Sequence, residues 1–178
     1  MKNILTRILL AAMLTVFAVM LASCGEKDEF AAPAGMVTAS DEKADFYLYV
    51  PEEWTVDYST AAAGAYYSPA DPSSVSVMAW ELEHTDTSLD DWWTVNQNDI
   101  TMVFQNFALE SEENCTINDL YAKKYTYTAS LGEYNYKIMQ AACIKDAVVY
   151  LFTYTSLPEN FDAHLGDVNE MLEYLIIK

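Results

Sequence analysis

The stretch from Leu120 to Leu157 limits the fold more than any other part of the chain. LYAKKYTYTAS and YNYKIMQAACIKD flank LGE, and AVVYLFTYTSL follows. Aromatic and β-branched residues dominate these runs, so the stretch predicts a three-stranded antiparallel meander. Gly132 supplies the permissive backbone of its first turn. In AVVYLF both alternating sets of side chains are apolar, which places that strand at the centre of a sheet covered on both faces. Tyr121, Tyr125, Tyr127, Tyr134, Tyr136, Tyr150 and Tyr154 form a dense set on these strands. Such a set suits a carbohydrate-binding face, but an ordinary sheet with tyrosines at its margins is the commoner arrangement.

Upstream, DFYLYVPEEW predicts an extended strand ending at Pro51. AGAYYS (63–68) and SVSVMAWEL (74–82) predict two more strands, joined by the turn residues of PADPS. Ser88 followed by Asp91 offers an oxygen and an acid to the free N–H groups of a helix start. Leu89, Trp93, Ile100, Val103 and Phe107 then supply one apolar face. Trp92 and Trp93 point about 100° apart on such a helix, so one is expected in the core and the other at its edge. Pro158 suits the first turn of a second helix, whose stripe is Phe161, Leu165, Val168, Leu172 and Leu175. Together these elements predict an α+β fold, an α/β/α sandwich with a central, mostly antiparallel sheet and helices on both faces.

The N-terminus carries targeting information. Lys2 and Arg7 precede an apolar run from Ile8 to Ala22, too short for a permanent span, and small residues follow. Leu21, Ala22, Ser23 and Cys24 resemble the bacterial lipobox. That resemblance implies a lipoprotein signal peptide over residues 1–23, cleavage before Cys24, and acyl chains on that cysteine. Two or more chains anchor a protein stably where one does not. Residues 24–41 are rich in Ala, Gly, Pro and charge without periodicity, and predict a flexible acidic tether with a reach of roughly 20–25 Å. Residues 42–178 are left as a single globular domain. The expected location is the extracytoplasmic side of the cell membrane. Gly25, rather than Asp, after the lipid-bearing cysteine permits outer-membrane sorting in a host with two membranes.

Charge narrows the partners. Removal of Lys2 and Arg7 with the signal leaves seven lysines, no arginine and 27 acidic residues, a net charge of −20. A domain without a guanidinium fork and with a strongly negative field repels polyanions, so nucleic acid and docking on anionic lipid through a basic patch are excluded. The acidity suits a solvated surface. No alternating Asp/Asn loop with a central Gly is present to bind calcium.

Catalytic signatures are absent from the sequence. The glycines Gly25, Gly35, Gly64, Gly132 and Gly166 are scattered, giving neither a Gly-x-Ser-x-Gly elbow nor a phosphate-cradling loop. His84, in ELEHTD beside Glu81, Glu83 and Asp86, predicts a solvated loop, because on a strand His84 would face away from both glutamates. His164 is expected at the surface or margin of the last helix. A turn at Leu131–Gly132 puts Cys143 opposite about residue 120, leaving Cys115 roughly 16 Å away along the strand, so two free or buried thiols are expected. No catalytic, cofactor-binding or metal-ligating residue is assigned, and no cofactor is expected.

FYLYVPEEW at the start, DPSSVSV in the early hairpin, SLDDWW opening the middle helix, and YKIMQAACIKDAVVYLFTYTS leading into ENFDAHLGDVNEML together resemble PsbP-like domains. That superfamily includes the extrinsic photosystem II subunit, a Ran-binding nuclear import factor and bacterial envelope lipoproteins. The resemblance spans Ala44 to about Ile177. It implies a central antiparallel sheet with helices on both faces, and a non-enzymatic, partner-binding style of function. The resulting expectation is a membrane-tethered, non-catalytic envelope lipoprotein that binds an envelope protein or a small ligand. The alternative is an envelope hydrolase using paired carboxylates.

Overall fold

A computed structural model describes residues 30–59 and 61–178, and the expected signal peptide (1–23) and lipidation site Cys24 lie outside the described residues. Within Ala32–Lys178 the centre is a seven-stranded sheet. Its strands are β4 (Thr55–Val56), β5 (Ala63–Tyr66), β6 (Ser74–Glu81), β7 (Gln105–Ile117), β8 (Leu120–Leu131), β9 (Tyr134–Lys145) and β10 (Val148–Ser156). They lie in the order β4-β5-β6-β10-β9-β8-β7, and every neighbouring pair is antiparallel.

β10 is the middle strand, as its two apolar sets demand. Tyr150, Phe152 and Tyr154 are buried on one side with Phe161, Val168 and Met171. Val149 and Leu151 are buried on the other with Leu89, Trp92 and Trp93. The meander has four strands, one more than the sequence suggested, because β7 adds an edge to β8. QNFALESEENCTI escapes the strand signature for a physical reason: β7 is an outer strand whose side chains are mostly exposed and polar, and its pairing is interrupted by two register shifts.

Two-residue loops set the registers. Asn118–Asp119 and Asp146–Ala147 each have both residues at positive φ, the backbone of a type I′ hairpin. Gly132 is at φ 61° in the third hairpin, in which Leu131 faces Tyr134. The register brings Ala122 opposite both Cys115 and Cys143. The two cysteines therefore lie level on β7 and β9 with β8 between them, and not five residues apart along one line. Both are free, and a separation of two inter-strand spacings, about 9.5 Å, exceeds what a disulfide spans.

Helix α1 (Leu89–Val103) covers one face, and Ser88 Oγ caps it by accepting from the Asp91 N–H at 3.1 Å. The helix stops at Val103 because Phe104 turns extended, so Phe107 belongs to β7, where it packs on Tyr127. Both tryptophans are buried, against the expectation for one of them. Trp93 packs on β8 while Trp92 leans towards Trp80 of β6, so the broad sheet holds two side chains that diverge by 100°. The opposite face is covered by α2 (Pro158–Phe161), a 3-10 turn (Asp162–His164) and α3 (Leu165–Glu173).

The N-terminal part of the domain completes that second layer. DFYLYVPEEW is divided between two small sheets: β2 (Phe46–Tyr47) pairs with β11 (Ile176–Ile177), and β3 (Tyr49–Pro51) pairs with β1 (Met36–Thr38). The end of the expected tether is therefore folded. Met36, Ala39 and Ser40 are buried, the Ala39 N–H donates to Leu48 O at 2.7 Å, and the Gly64 N–H donates to Ala39 O at 3.1 Å. A three-residue strand is too short to show periodicity, which is why composition alone assigned it to the linker.

Candidate functional site

The densest polar cluster is built by the β5–β6 turn, SPADPSS. Ser68 Oγ accepts from the Asp71 N–H, and Asp71 Oδ1 accepts from the Ser73 N–H at 3.1 Å and the Ser73 hydroxyl at 2.7 Å. Asp71 Oδ2 is then left for His164 Nε2, at 2.8 Å. His164 is not at the margin. It is only 7 % exposed, with the Tyr67 ring centroid 4.2 Å away and the Trp54 ring at 5.6 Å. Trp54 Nε1 in turn donates to Asp167 Oδ2 at 3.1 Å, and the Ser73 and Ser156 hydroxyls lie 2.7 Å apart.

A serine, a histidine and an aspartate in contact invite comparison with a nucleophilic triad, and the connectivity decides against it. In a triad the imidazole stands between the hydroxyl and the carboxylate. Here Asp71 stands between Ser73 and His164, so the hydroxyl proton goes to the carboxylate and the imidazole has no nucleophile to activate. Burial works to raise the Asp71 pKa, but hydrogen bonds from His164, Ser73 and Asn160 outweigh it and hold the group at about 2. A general acid needs the opposite shift. The cluster fastens the β5–β6 turn to the C-terminal helical segment. Its partners lie 93 residues apart in sequence, and only the wealth of turn residues in SPADPSS marked one half of it.

The carboxylates of β7 are also engaged. Glu110 pairs with Lys137 and Glu113 with Lys124, each at 3.2 Å, and Lys123 lies between Glu112, at 2.7 Å, and Asp90 at the start of α1. His84 is exposed in the link between β6 and α1. Among the described residues no group of three or more His, Cys, Asp or Glu side chains converges on a point where a metal ion would sit. Of the tyrosine set, Tyr125, Tyr127, Tyr150 and Tyr154 are buried in the core, while Tyr121 and Tyr134 are exposed at opposite ends of β8 and its hairpin. No continuous aromatic platform results.

The described residues also form two shallow concave features. A crevice of about 330 Å³ opens where α1 ends, lined by Phe104, Leu131, Tyr136, Ile138 and Leu157 with Ser74 and Thr155 at its polar edge. A groove of about 380 Å³ on the other face runs between the Lys124 and Lys137 pairs and α3, over Phe161 and Met139. Both sit at the small end of the range for ligand pockets. Neither includes His164, His84 or a cysteine.

No protein-family model and no curated protein sequence matches the chain. Solved structures do. Cyanobacterial PsbP (CyanoP) from Synechocystis sp. PCC 6803 is 16 % identical with a TM-score of 0.60, over 89 % of this chain and 99 % of that one. LpqN, described as involved in cell envelope biogenesis of Mycobacterium tuberculosis, is 15 % identical with a TM-score of 0.60, over 80 % of this chain and 90 % of that one. PA94 from Pseudomonas aeruginosa, a protein of unknown function described as a putative regulator, is 13 % identical with a TM-score of 0.51 over 78 % of this chain and 94 % of that one. The domain has the PsbP-like fold, as the sequence resemblance implied.

Proposed function

We propose that the protein is a lipid-tethered, non-catalytic module of the cell envelope, anchored through Cys24 and acting by binding a protein or small ligand. The observation that carries this reading is the lipobox Leu21–Cys24 followed so closely by a folded domain. Seven residues, Gly25 to Ala31, separate the lipid-bearing cysteine from the domain that begins at Ala32. They span at most about 25 Å. A domain on so short a lead is held against the membrane surface and meets partners there.

Two further observations support a binding role over chemistry. The His164–Asp71 pair is buried in packing, and the β7 carboxylates Glu110 and Glu113 that line the second groove are paired with Lys137 and Lys124. The envelope-biogenesis description of LpqN, on the same fold, agrees with an envelope location. Among the described residues no helix is long and apolar enough to cross a membrane; the anchor in this reading is the lipid on Cys24. Its test is fractionation of cells carrying the natural chain or Cys24→Ala, with metabolic labelling by a clickable fatty acid. The natural chain is expected in the membrane fraction and labelled, the variant unlabelled and released. Equal fractionation and no label on either would overturn the reading.

A further inference from the structure

The strand registers fix the end of the sheet at which the chain enters the domain. β1 begins at Met36, opposite Pro51. The turn after Pro51, in which the Trp54 N–H donates to Pro51 O, leads directly into β4, and Thr55 there pairs with Tyr66 at the end of β5. Tyr66 pairs with Ser74 at the start of β6, and Ser74 with Thr155 near the end of β10. The same end holds Gln105 at the start of β7 and the hairpin between Leu131 and Tyr134. The lead from Cys24 therefore joins the domain at this end.

Of the two ends this is the apolar one. Ser156, the last residue of β10, pairs with Lys137, while β9 starts three residues earlier at Tyr134. The β8–β9 hairpin thus overhangs its neighbour by about 10 Å. Leu131 and Tyr134 at its tip are 46 % and 63 % exposed, and Val103, which ends α1, is 62 % exposed. Leu131 and Phe104, next to Val103, line the crevice at the end of α1. Around that crevice the links Phe104, Gly132–Glu133 and Leu157 carry one acid, Glu133, and Asp71 in the neighbouring turn is directed to His164. The exposed Glu52, Glu53 and Glu159 belong to the opposite layer, with β3 and α2. By contrast, the links at the far end carry Glu83, Asp86, Asp119 and Asp146 with no lysine, and α1 starts there with Asp90 and Asp91.

Reach decides which end can meet the membrane. The lead of seven residues, Gly25 to Ala31, spans at most about 25 Å. β8 from Tyr121 to Leu131 covers about 34 Å. A domain whose lead enters at the Leu131 end cannot stand on its far end. Charge agrees, because acidic links are repelled by anionic headgroups and the rim of the crevice is nearly free of them. A tyrosine beside aliphatic side chains settles at headgroup level, with its ring in the interface and its hydroxyl in water. Three side chains bind a bilayer weakly by themselves. The anchor makes that contact intramolecular, at an effective concentration of roughly millimolar.

We propose that the rim formed by Val103, Leu131 and Tyr134 dips into the headgroup layer of the membrane that holds the anchor. The domain then stands on this end and turns its acidic links away from the lipid. This inference rests on the reading of the protein as anchored through Cys24, and adds the orientation of the domain.

The test uses the full-length chain in intact cells with p-benzoylphenylalanine at position 134 or at position 121. Both replace a tyrosine of the meander, at opposite ends, and the two are matched in exposure at 63 % and 58 %. The expected result is a lipid adduct, identified by mass spectrometry, in at least tenfold excess at position 134. Leu131→Glu and Val103→Glu should each lower its yield at least threefold, with an unchanged urea midpoint showing that the fold survives. Equal lipid adduct at the two positions, none at either, a protein adduct in place of lipid at 134, or a yield indifferent to both substitutions overturns the inference. A fatty-acid label on Cys24, read in the same cells, separates the two failures. Label without a preference for position 134 refutes the orientation and keeps the anchor, whereas absence of label removes both.

Discussion

Trp93 stacks on Tyr125 with ring centroids 3.7 Å apart and planes 6° from parallel. This contact packs the N-terminal half of α1 on β8, and both residues are buried. The Tyr125 hydroxyl is buried without a protein hydrogen-bond partner, and burial pushes its pKa up to about 12. Trp93→Ala is expected to cost about 3–5 kcal/mol in urea unfolding, the ordinary loss for a large aromatic in a core. Tyr125→Phe keeps the stack and removes an unsatisfied polar atom, so it is expected to be neutral or stabilising by up to about 1 kcal/mol. A clear loss of stability in Tyr125→Phe would mean that the hydroxyl is bonded after all.

Ala147 occupies the left-handed region at φ 61° in the hairpin between β9 and β10, where a Cβ is strained by about 1–2 kcal/mol. Ala147→Gly removes the strain at some cost in unfolded-chain entropy. The expected net effect is a gain of about 0.5–1 kcal/mol in the free energy of urea unfolding. Ala147→Val, branched at Cβ, should lose more than that.

The Asp71–His164 pair predicts an acid limb of stability. The Asp71 pKa is held at about 2, below its ordinary 3.8. A group whose folded pKa is depressed contributes stability that is fully present above the unfolded value and is lost as pH falls through the folded one. The contribution should therefore decline between about pH 4 and pH 2. Asp71→Asn should be less stable at pH 7 and show a shallower decline across that window. Parallel curves for the two proteins would place the acid sensitivity elsewhere.

The domain boundary can be tested by truncation. A chain beginning at Ala32 keeps β1 and the buried Met36, Ala39 and Ser40, and should unfold at the same urea midpoint as a chain beginning at Cys24. A chain beginning at Glu42 loses that burial and the Ala39 hydrogen bonds to Leu48 and Gly64. About 3 kcal/mol or more should go with them.

Where the sequence was legible, one local rule sufficed. The Ser88 cap, the turn residues between β5 and β6 and the doubly apolar β10 each declare themselves within ten residues. What stayed hidden depends on distant chain or on exposure. β7 is polar because it is an edge, and β1 is too short for a pattern. His164 is drawn inside by a carboxylate 93 residues away, and the level placement of Cys115 and Cys143 follows from a fourth strand that local signals missed. The contact between α1 and β6 was hidden for the same reason: Trp80 and Trp92 meet only after the two elements have packed.

The central claim is the anchor at Cys24, and the intact mass of the protein extracted from the membrane fraction tests it most directly. The account predicts a chain that starts at Cys24 and carries at least a diacylglyceryl group on its thiol. A chain that retains residues 1–23, or one that starts at another residue with an unmodified thiol, would contradict it.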